Sequence, residues 1–293
     1  AVGFKANAGG RASVAVGLLS RANWEYSVAV GNETFAAPYA TALGNESIAQ
    51  GLHSLAVGDG AHADGTDSIS IGHGALAGVV GEEAINATAI GTNAIALADN
   101  ATATGYAAQA MADYASAYGD SSQAVGEYAS AFGAKSYAGG AYSIAMGTNA
   151  FALGMNSAAF GYNSMAMGHY SLALGNNAVV SHDHSVALGS DSSATGATLG
   201  DPAYLVGGMA RAEVNIGERR ITGVAAGAQD TDAVNVAQLD DATVDLKYLD
   251  ASGDADNDQD AIVEGDFATA VGSGASAMND GAIEKQTGQR PER

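Results

Sequence analysis

The sequence predicts an all-β solenoid, a parallel β-roll built from 14-residue coils. Three observations carry that prediction. The first is a phrase, small-x-Ala-x-Gly, that recurs with its glycine at Gly17, Gly31, Gly44, Gly58, Gly72, Gly91, Gly105, Gly119, Gly133, Gly147, Gly161, Gly175 and Gly189. The steps are 14 residues, save 13 between Gly31 and Gly44 and 19 between Gly72 and Gly91. Weaker phrases end halfway between, at Gly10, Gly51, Gly65, Gly126, Gly154, Gly168 and Gly196, so each unit is two halves of seven. The second is the alternation of side chains with period two inside each half, a strand signal, where a helix would repeat at i, i+3, i+4 and i+7. The third is composition: 40 glycines sit in a chain that is 47% hydrophobic, and phased glycines in apolar sequence mark a repeat rather than disorder.

Each half is read as five residues of strand and a two-residue turn, with glycine serving the turn because it takes positive φ without penalty. Two strands and two turns make a coil. Coils stacked in parallel rise about 4.8 Å each, so roughly fourteen coils give a rod on the order of 65 Å. The first and third positions of each half are Ser or Ala, as in Ser13/Ala15, Ser27/Ala29, Ser54/Ala56, Ser122/Ala124 and Ser164/Ala166. A coil this flat has room inside only for Ala, Ser and Gly, so that face points into the roll.

The large residues then point out, and the halves differ. One carries Val14/Val16, Val28/Val30, Leu55/Val57, Ile69/Ile71, Ile144/Met146, Leu172/Leu174 and Val186/Leu188; the other carries Asn7/Gly9, Arg21/Asn23, His62/Asp64, Gln109/Met111 and Ser193/Thr195. One outer sheet is read as apolar and the other as mostly wet. A continuous apolar stripe is not left in water, and threefold packing of identical chains would close it. The expected homotrimer interface is Val14, Val16, Val28, Val30, Leu55, Val57, Ile69, Ile71, Leu172, Leu174, Val186 and Leu188.

With 32 acidic against 11 basic residues and a net charge of −21, the chain is a poor ligand for nucleic acid or anionic lipid. It has no cysteine, which fits an extracellular protein without disulfides. No signal peptide and no apolar run of about 18 residues is found, so the segment itself is not expected to span a membrane.

The phrases NAGGRASVAVG, GLHSLAVG, GAYSIAMG and GHYSLALG resemble the repeats of YadA-like heads of trimeric autotransporter adhesins, and VNIGERRITGVAAGAQDTDAVNVAQL, residues 214–239, resembles the neck that follows such heads. The resemblance implies a left-handed roll, a homotrimer, and a neck where the chains widen, cross and enter a coiled coil. It points to Asp232, Val234, Asn235, Val236, Gln238 and Leu239 in the neck. Asp230 or Thr231 could cap a helix there, and Val236, Leu239, Thr243 and Leu246 follow at coiled-coil spacing. The expected division is a head over residues 1–198, a neck with a short coiled coil over 199–245, and a linker with the start of a second head over 246–293. The phrase FATAVG, ending at Gly272, opens that second head. The sequence reads as a fragment of a longer surface fibre.

The function implied by the resemblance is attachment to host matrix, cells or abiotic surfaces by a head displayed on a Gram-negative outer membrane. Three identical faces would add weak sites through avidity. The alternative is a structural spacer presenting another binding domain. No catalytic residue, cofactor or metal is expected. His182-Asp183-His184 puts two imidazoles on one strand face, which fits a metal or a solvated surface. Asp254 to Asp260 begins like a calcium loop, but lacks glycine at the sixth place and an acid at the twelfth, Gly265, so an acidic linker is preferred. The glycine turns lack the helix and lysine of a phosphate loop.

Three departures from the repeat mark candidate ligand contacts. The 19-residue step inserts a loop near Gly78–Asn86. Aromatics cluster between Tyr106 and Tyr142, among them Tyr114 and Tyr128, either as an outer contact surface or as packing between coils. The wet half turns apolar at Phe151/Leu153 and Met165/Met167, either an exposed patch or a surface covered by the neighbouring chain.

Overall fold

A computed structural model of the chain describes residues 1–79, 84–196, 199 and 209–244. Four short strands are described beyond them, Ile262–Val263, Thr269–Val271, Ser276–Ala277 and Ile283–Lys285. The chain divides into two compact units, Ala1–Arg219 and Arg220–Arg293.

The first unit is the solenoid. Among the described residues, thirteen three-residue strands, from Val14–Val16 to Val186–Leu188, and the two-residue Val214–Asn215 form a 14-stranded parallel sheet, and two-residue strands, from Arg21–Ala22 onward, form a 13-stranded one. Successive turns of chain pair in register at the 14-residue step, so Ala145 faces Ala159 and Ala159 faces Ala173. Register resumes across both the shorter and the longer step, with Val28 against Thr41 and Ile69 against Thr88. The last strand of the first sheet is Val214–Asn215, which pairs with Val186 and Ala187.

The interior is as the phrase requires. In these two sheets the alanines at the middle of the three-residue strands and at the second position of the two-residue strands are fully buried, and among the described residues the largest fully buried side chain is Val180. Serine serves at the first position of a half for a reason alanine cannot supply. Its hydroxyl donates to the carbonyl three residues back, as from Ser164 to Gly161 at 3.0 Å and Ser171 to Gly168 at 2.6 Å, and so closes the preceding turn.

The turns differ from the sequence expectation. The strands are shorter than five residues, and the repeat glycine stands just ahead of the turn rather than in it. Gly161 has φ of +132°, and a Cβ there would lie 2.5 Å from the carbonyl oxygen of Gly175 one coil on. The left-handed position comes two residues later and is filled mainly by other residues, for example Asn163 at +55° and Tyr128 at +57°. Such a conformation costs about 1–3 kcal/mol per residue outside glycine and persists only where surrounding structure over-determines it. From Leu19 onward the amide of each such residue is anchored to the coil before it, as Tyr128 N donates to Asp113 O at 2.9 Å.

The contrast between a greasy and a wet sheet is also weaker than expected. Outward positions of the second sheet hold Arg21, His62, Gln109 and Ser193, but also Phe35, Ile48, Leu76, Ile95, Tyr137 and Val179. The wet reading sampled coils whose outward residue happens to be polar.

The second unit contains the helix Val236–Val244. Asn235, not Asp230 or Thr231, caps it: Gln238 N donates to Asn235 Oδ1 at 3.0 Å and Asn235 N to Gln238 Oε1 at 3.3 Å, a reciprocal capping box. The same Gln238 amide grips the incoming chain, accepting from Gly227 N at 2.7 Å and donating to Gly227 O at 2.9 Å. Asp232 accepts from the amides of Ala228 and Gln229, which holds its carboxyl below the usual range. Val234, Val236 and Leu239 are exposed. Leu246, the side chain of Thr243 and the acidic run 254–260 lie outside the described residues. Beyond them, Ile262 pairs with Ser276 and Thr269 with Ile283, again at a 14-residue step.

Candidate binding surface

A parallel in-register roll converts each repeat position into a column, one side chain per coil, about 4.8 Å apart. The surface is therefore read by column. The expected interface residues occupy the outer face of the first sheet. Val14 and Leu188 are 45% and 44% exposed in the single chain, while Val28, Val30, Leu55, Val57, Ile69, Ile71, Leu172 and Val186 are half-buried between rungs. Farther along this face Tyr118 stacks on Phe132, with ring centres 5.1 Å apart.

The corner that leads from the second sheet back to the first carries an aromatic ladder. Tyr114, Tyr128 and Tyr142 stack nearly coplanar, at 4.6 and 5.0 Å, all in the left-handed conformation. Earlier in the same column Tyr26 stacks on Tyr39, Tyr39 meets His53 edge-on, and His53 Nδ1 lies 3.1 Å from Asp67 Oδ1. Later, Tyr170 stacks on His184. The faces of inner rungs are taken by neighbouring rings, so the ladder presents ring edges and hydroxyls outward. Partial burial and the neighbouring Tyr114 and Tyr142, then Glu127 and Asp113, push the Tyr128 phenol up. These aromatics pack between coils and keep part of each ring exposed.

One position before the tyrosines runs a column of acceptors. Asp99 Oδ1 accepts from Ile85 N at 2.8 Å, and Asp113 Oδ1 accepts from Asp99 N at 3.1 Å. Sequence reading missed this column, although acids at residues 99, 113 and 127 share the 14-residue step. His169 and Asp183 fill the same role, accepting from Met155 N and His169 N. This corrects the placement of His182-Asp183-His184. The triplet forms a corner, not a strand face, and the His184 ring lies flat on Tyr170.

Phe151 and Met165 are register partners on the outer face of the second sheet, extended by Tyr137 and Val179. Leu153 and Met167, 43% and 38% exposed, occupy the next column toward the aromatic corner. The structure thus brings these four together on adjacent coils. Tyr114 and Tyr128 lie on the neighbouring corner, two or more coils earlier. Of the insertion, residues 80–83 lie outside the described residues; Val79 and Ala84 flank it.

At the end of the first unit, Arg219 lies over Gly189, where another coil would otherwise stack, and donates to Ser190 O at 2.7 Å. Hydrogen bonds from Asn177 and Ser190, with Arg219 nearby, hold the Asp191 carboxyl below the usual range.

Comparison with protein families decides what this surface belongs to. The YadA head domain repeat matches residues 8–34, 36–61, 49–75, 83–108, 138–164 and 166–192, about half of the chain. The coiled stalk of trimeric autotransporter adhesins matches residues 220–262. The chain belongs to the trimeric autotransporter adhesins. Membership makes it a non-catalytic adhesin of a family that is displayed on Gram-negative cells and implies a homotrimer. The crystal structure of the collagen-binding domain of the Yersinia adhesin YadA matches over 82% of this adhesin chain and 89% of that one, at 22% identity and a TM-score of 0.22. No curated protein matches this adhesin.

Proposed function

We propose that the roll is an adhesive head in a surface fibre, attaching to host matrix, cells or abiotic surfaces by three identical faces. Weak contacts would add by avidity. The carrying observation is the apolar patch at Phe151, Leu153, Met165 and Met167 on adjacent coils, where Leu153 and Met167 are exposed and Phe151 and Met165 half-buried. Tyr114 and Tyr128 extend the contact surface along the adjoining corner. In this reading the outer face of the first sheet, from Val14 to Leu188, is the trimer interface, because its third strand position is large and apolar in nearly every coil. Residues 1–198 carry the coils of the head and 199–245 the neck, whose first strand, Val214–Asn215, closes the first sheet. Asp232, Asn235 and Gln238 fix the neck's turn, and Val234, Val236 and Leu239 supply its apolar contacts. Residues 246–293 are a linker and the start of a second head.

The test is attachment of the purified protein to immobilised matrix proteins, cells and plain plastic, after sedimentation has established a trimer. Serine at residues 151, 153, 165 and 167 should abolish attachment and leave the trimer intact. A stable monomer would refute the interface.

A spacer role is favoured by one observation. Pairing at a 14-residue step resumes at Ile262 and Thr269, so head-like modules recur along the chain. A folded trimer that attaches to nothing would make the roll a spacer.

A further inference from the structure

A hollow of about 440 Å³, lined by described residues, lies on the second-sheet side of the aromatic corner. Val79, Leu97 and Met111 are among its apolar walls, and Asp99 and Asp113 stand at its edge. Both columns continue one coil on, the apolar one to Val125 and the acidic one to Glu127, both exposed. Each aspartate spends one oxygen on a backbone amide of the preceding coil. Salt-bridge partners are not found for Asp99, Asp113 or Glu127 among the described residues. The result is an apolar stripe and a parallel anionic stripe, each three rungs long, on a chain carrying −21 net charge.

We infer that this groove binds a cationic amphipathic helix, with its apolar face on Leu97, Met111 and Val125 and its lysines or arginines on Asp99, Asp113 and Glu127. Charge complementarity selects a basic partner. Spacing selects the conformation. A helix laid along the stack presents one face every 5.4 Å or so, close to the rung step of about 4.8 Å. An extended strand presents one face every 6.6–6.8 Å or so and falls out of register within two rungs. The apolar stripe supplies contact area, and the carboxylates orient the helix and exclude acidic ones.

The inference deepens the adhesive reading, and its assay is separable from it: attachment through the Phe151–Met167 patch can hold while the groove fails, and the reverse. The experiment measures fluorescence anisotropy of a labelled leucine-lysine peptide of about 14 residues with helical periodicity, titrated with the whole protein. A peptide of the same composition with alternating periodicity is the comparison. Asp99→Asn/Asp113→Asn/Glu127→Gln keeps the oxygens that accept the backbone amides and removes three charges. Glu33→Gln/Glu46→Gln/Asp120→Asn removes three charges from the opposite corner. The expected result is preference for the helical peptide, about tenfold weaker binding for the groove variant and less than about twofold for the control. Met111→Ser should weaken binding at high salt as well as low. No binding by the unaltered protein, equal loss in both triple variants, or preference for the alternating peptide would each overturn the inference.

Discussion

Two glycines seven residues apart should respond differently to the same methyl group. At Gly154 an added Cβ would lie 2.0 Å from Gly168 O; at Gly161 it would lie 2.5 Å from Gly175 O. Distance alone makes Gly154→Ala the worse change. Backbone conformation reverses the order. Gly161 sits at φ +132°, which side chains rarely adopt, whereas Gly154 is outside the positive-φ region. The chain also shows what the second site tolerates. Ala98 and Ala112 occupy the position of Gly154 in their own coils, accepting from Ala101 N and Ala115 N as Gly154 accepts from Ser157 N. Backbone displacement costs about 1–3 kcal/mol in either variant, and positive φ adds about 1–3 kcal/mol for Gly161→Ala alone. Gly161→Ala should therefore lower the melting temperature about twice as far as Gly154→Ala, at roughly 2–4 °C per kcal/mol for a domain of this size. Thermal unfolding followed by far-ultraviolet circular dichroism measures this. An equal or larger loss for Gly154→Ala would refute the reasoning and make coil-to-coil distance the controlling quantity.

Ala159→Leu should overpack a fully buried position and cost about 1–3 kcal/mol per chain, read as a lower denaturant midpoint. Burial raises the Asp64 carboxyl above its usual range, against a smaller opposing effect of His62, and Asp64 Oδ1 has no partner among the described residues. A raised folded value favours the protonated form, so the stabilisation present below the unfolded value near 3.8 is lost as pH rises through the folded one. Asp64→Asn should then raise the melting temperature at neutral pH and make little difference below about pH 3.8; an unchanged neutral melt would contradict this. Asp232 behaves oppositely, stabilising above its unfolded value and losing that as pH falls through the lowered folded one, so Asp232→Ala should speed hydrogen exchange at the Ala228 and Gln229 amides at pH 7 but not in acid. Removing the helix cap with Asn235→Ala should cost about 1 kcal/mol, seen as lower helicity in the neck.

The coil was legible because small residues must recur where two sheets nearly touch, and Ala145, Ala159 and Ala173 announce that spacing on their own. The neck was legible as a segment, but its cap was not. Asp230, Thr231, Asp232 and Asn235 are all competent caps, and the choice falls to Asn235 because Gln238 stands three residues on and can answer it. The turns were misread because tyrosine argues against the left-handed conformation, while stacking of Tyr114, Tyr128 and Tyr142 on one another supports it in the assembled roll; the asparagines, which tolerate that conformation, recur at the same place at Asn149, Asn163 and Asn177. The acidic column escaped notice because its members are 14 residues apart and only the coil brings them side by side.

The hydrogen bonds that join one coil to the next run along the stack, and this sets how the roll meets a pull. Tension along the axis is carried by the ladders of all the coils in series, so the weakest coil yields first. A released coil of 14 residues can extend to about 46–50 Å, in place of the roughly 4.8 Å it occupied. Each yielding coil therefore supplies about tenfold its own height in slack, and the force on any attachment beyond it falls. The same repetition that makes the surface monotonous gives a tether that lengthens in equal steps before it lets go.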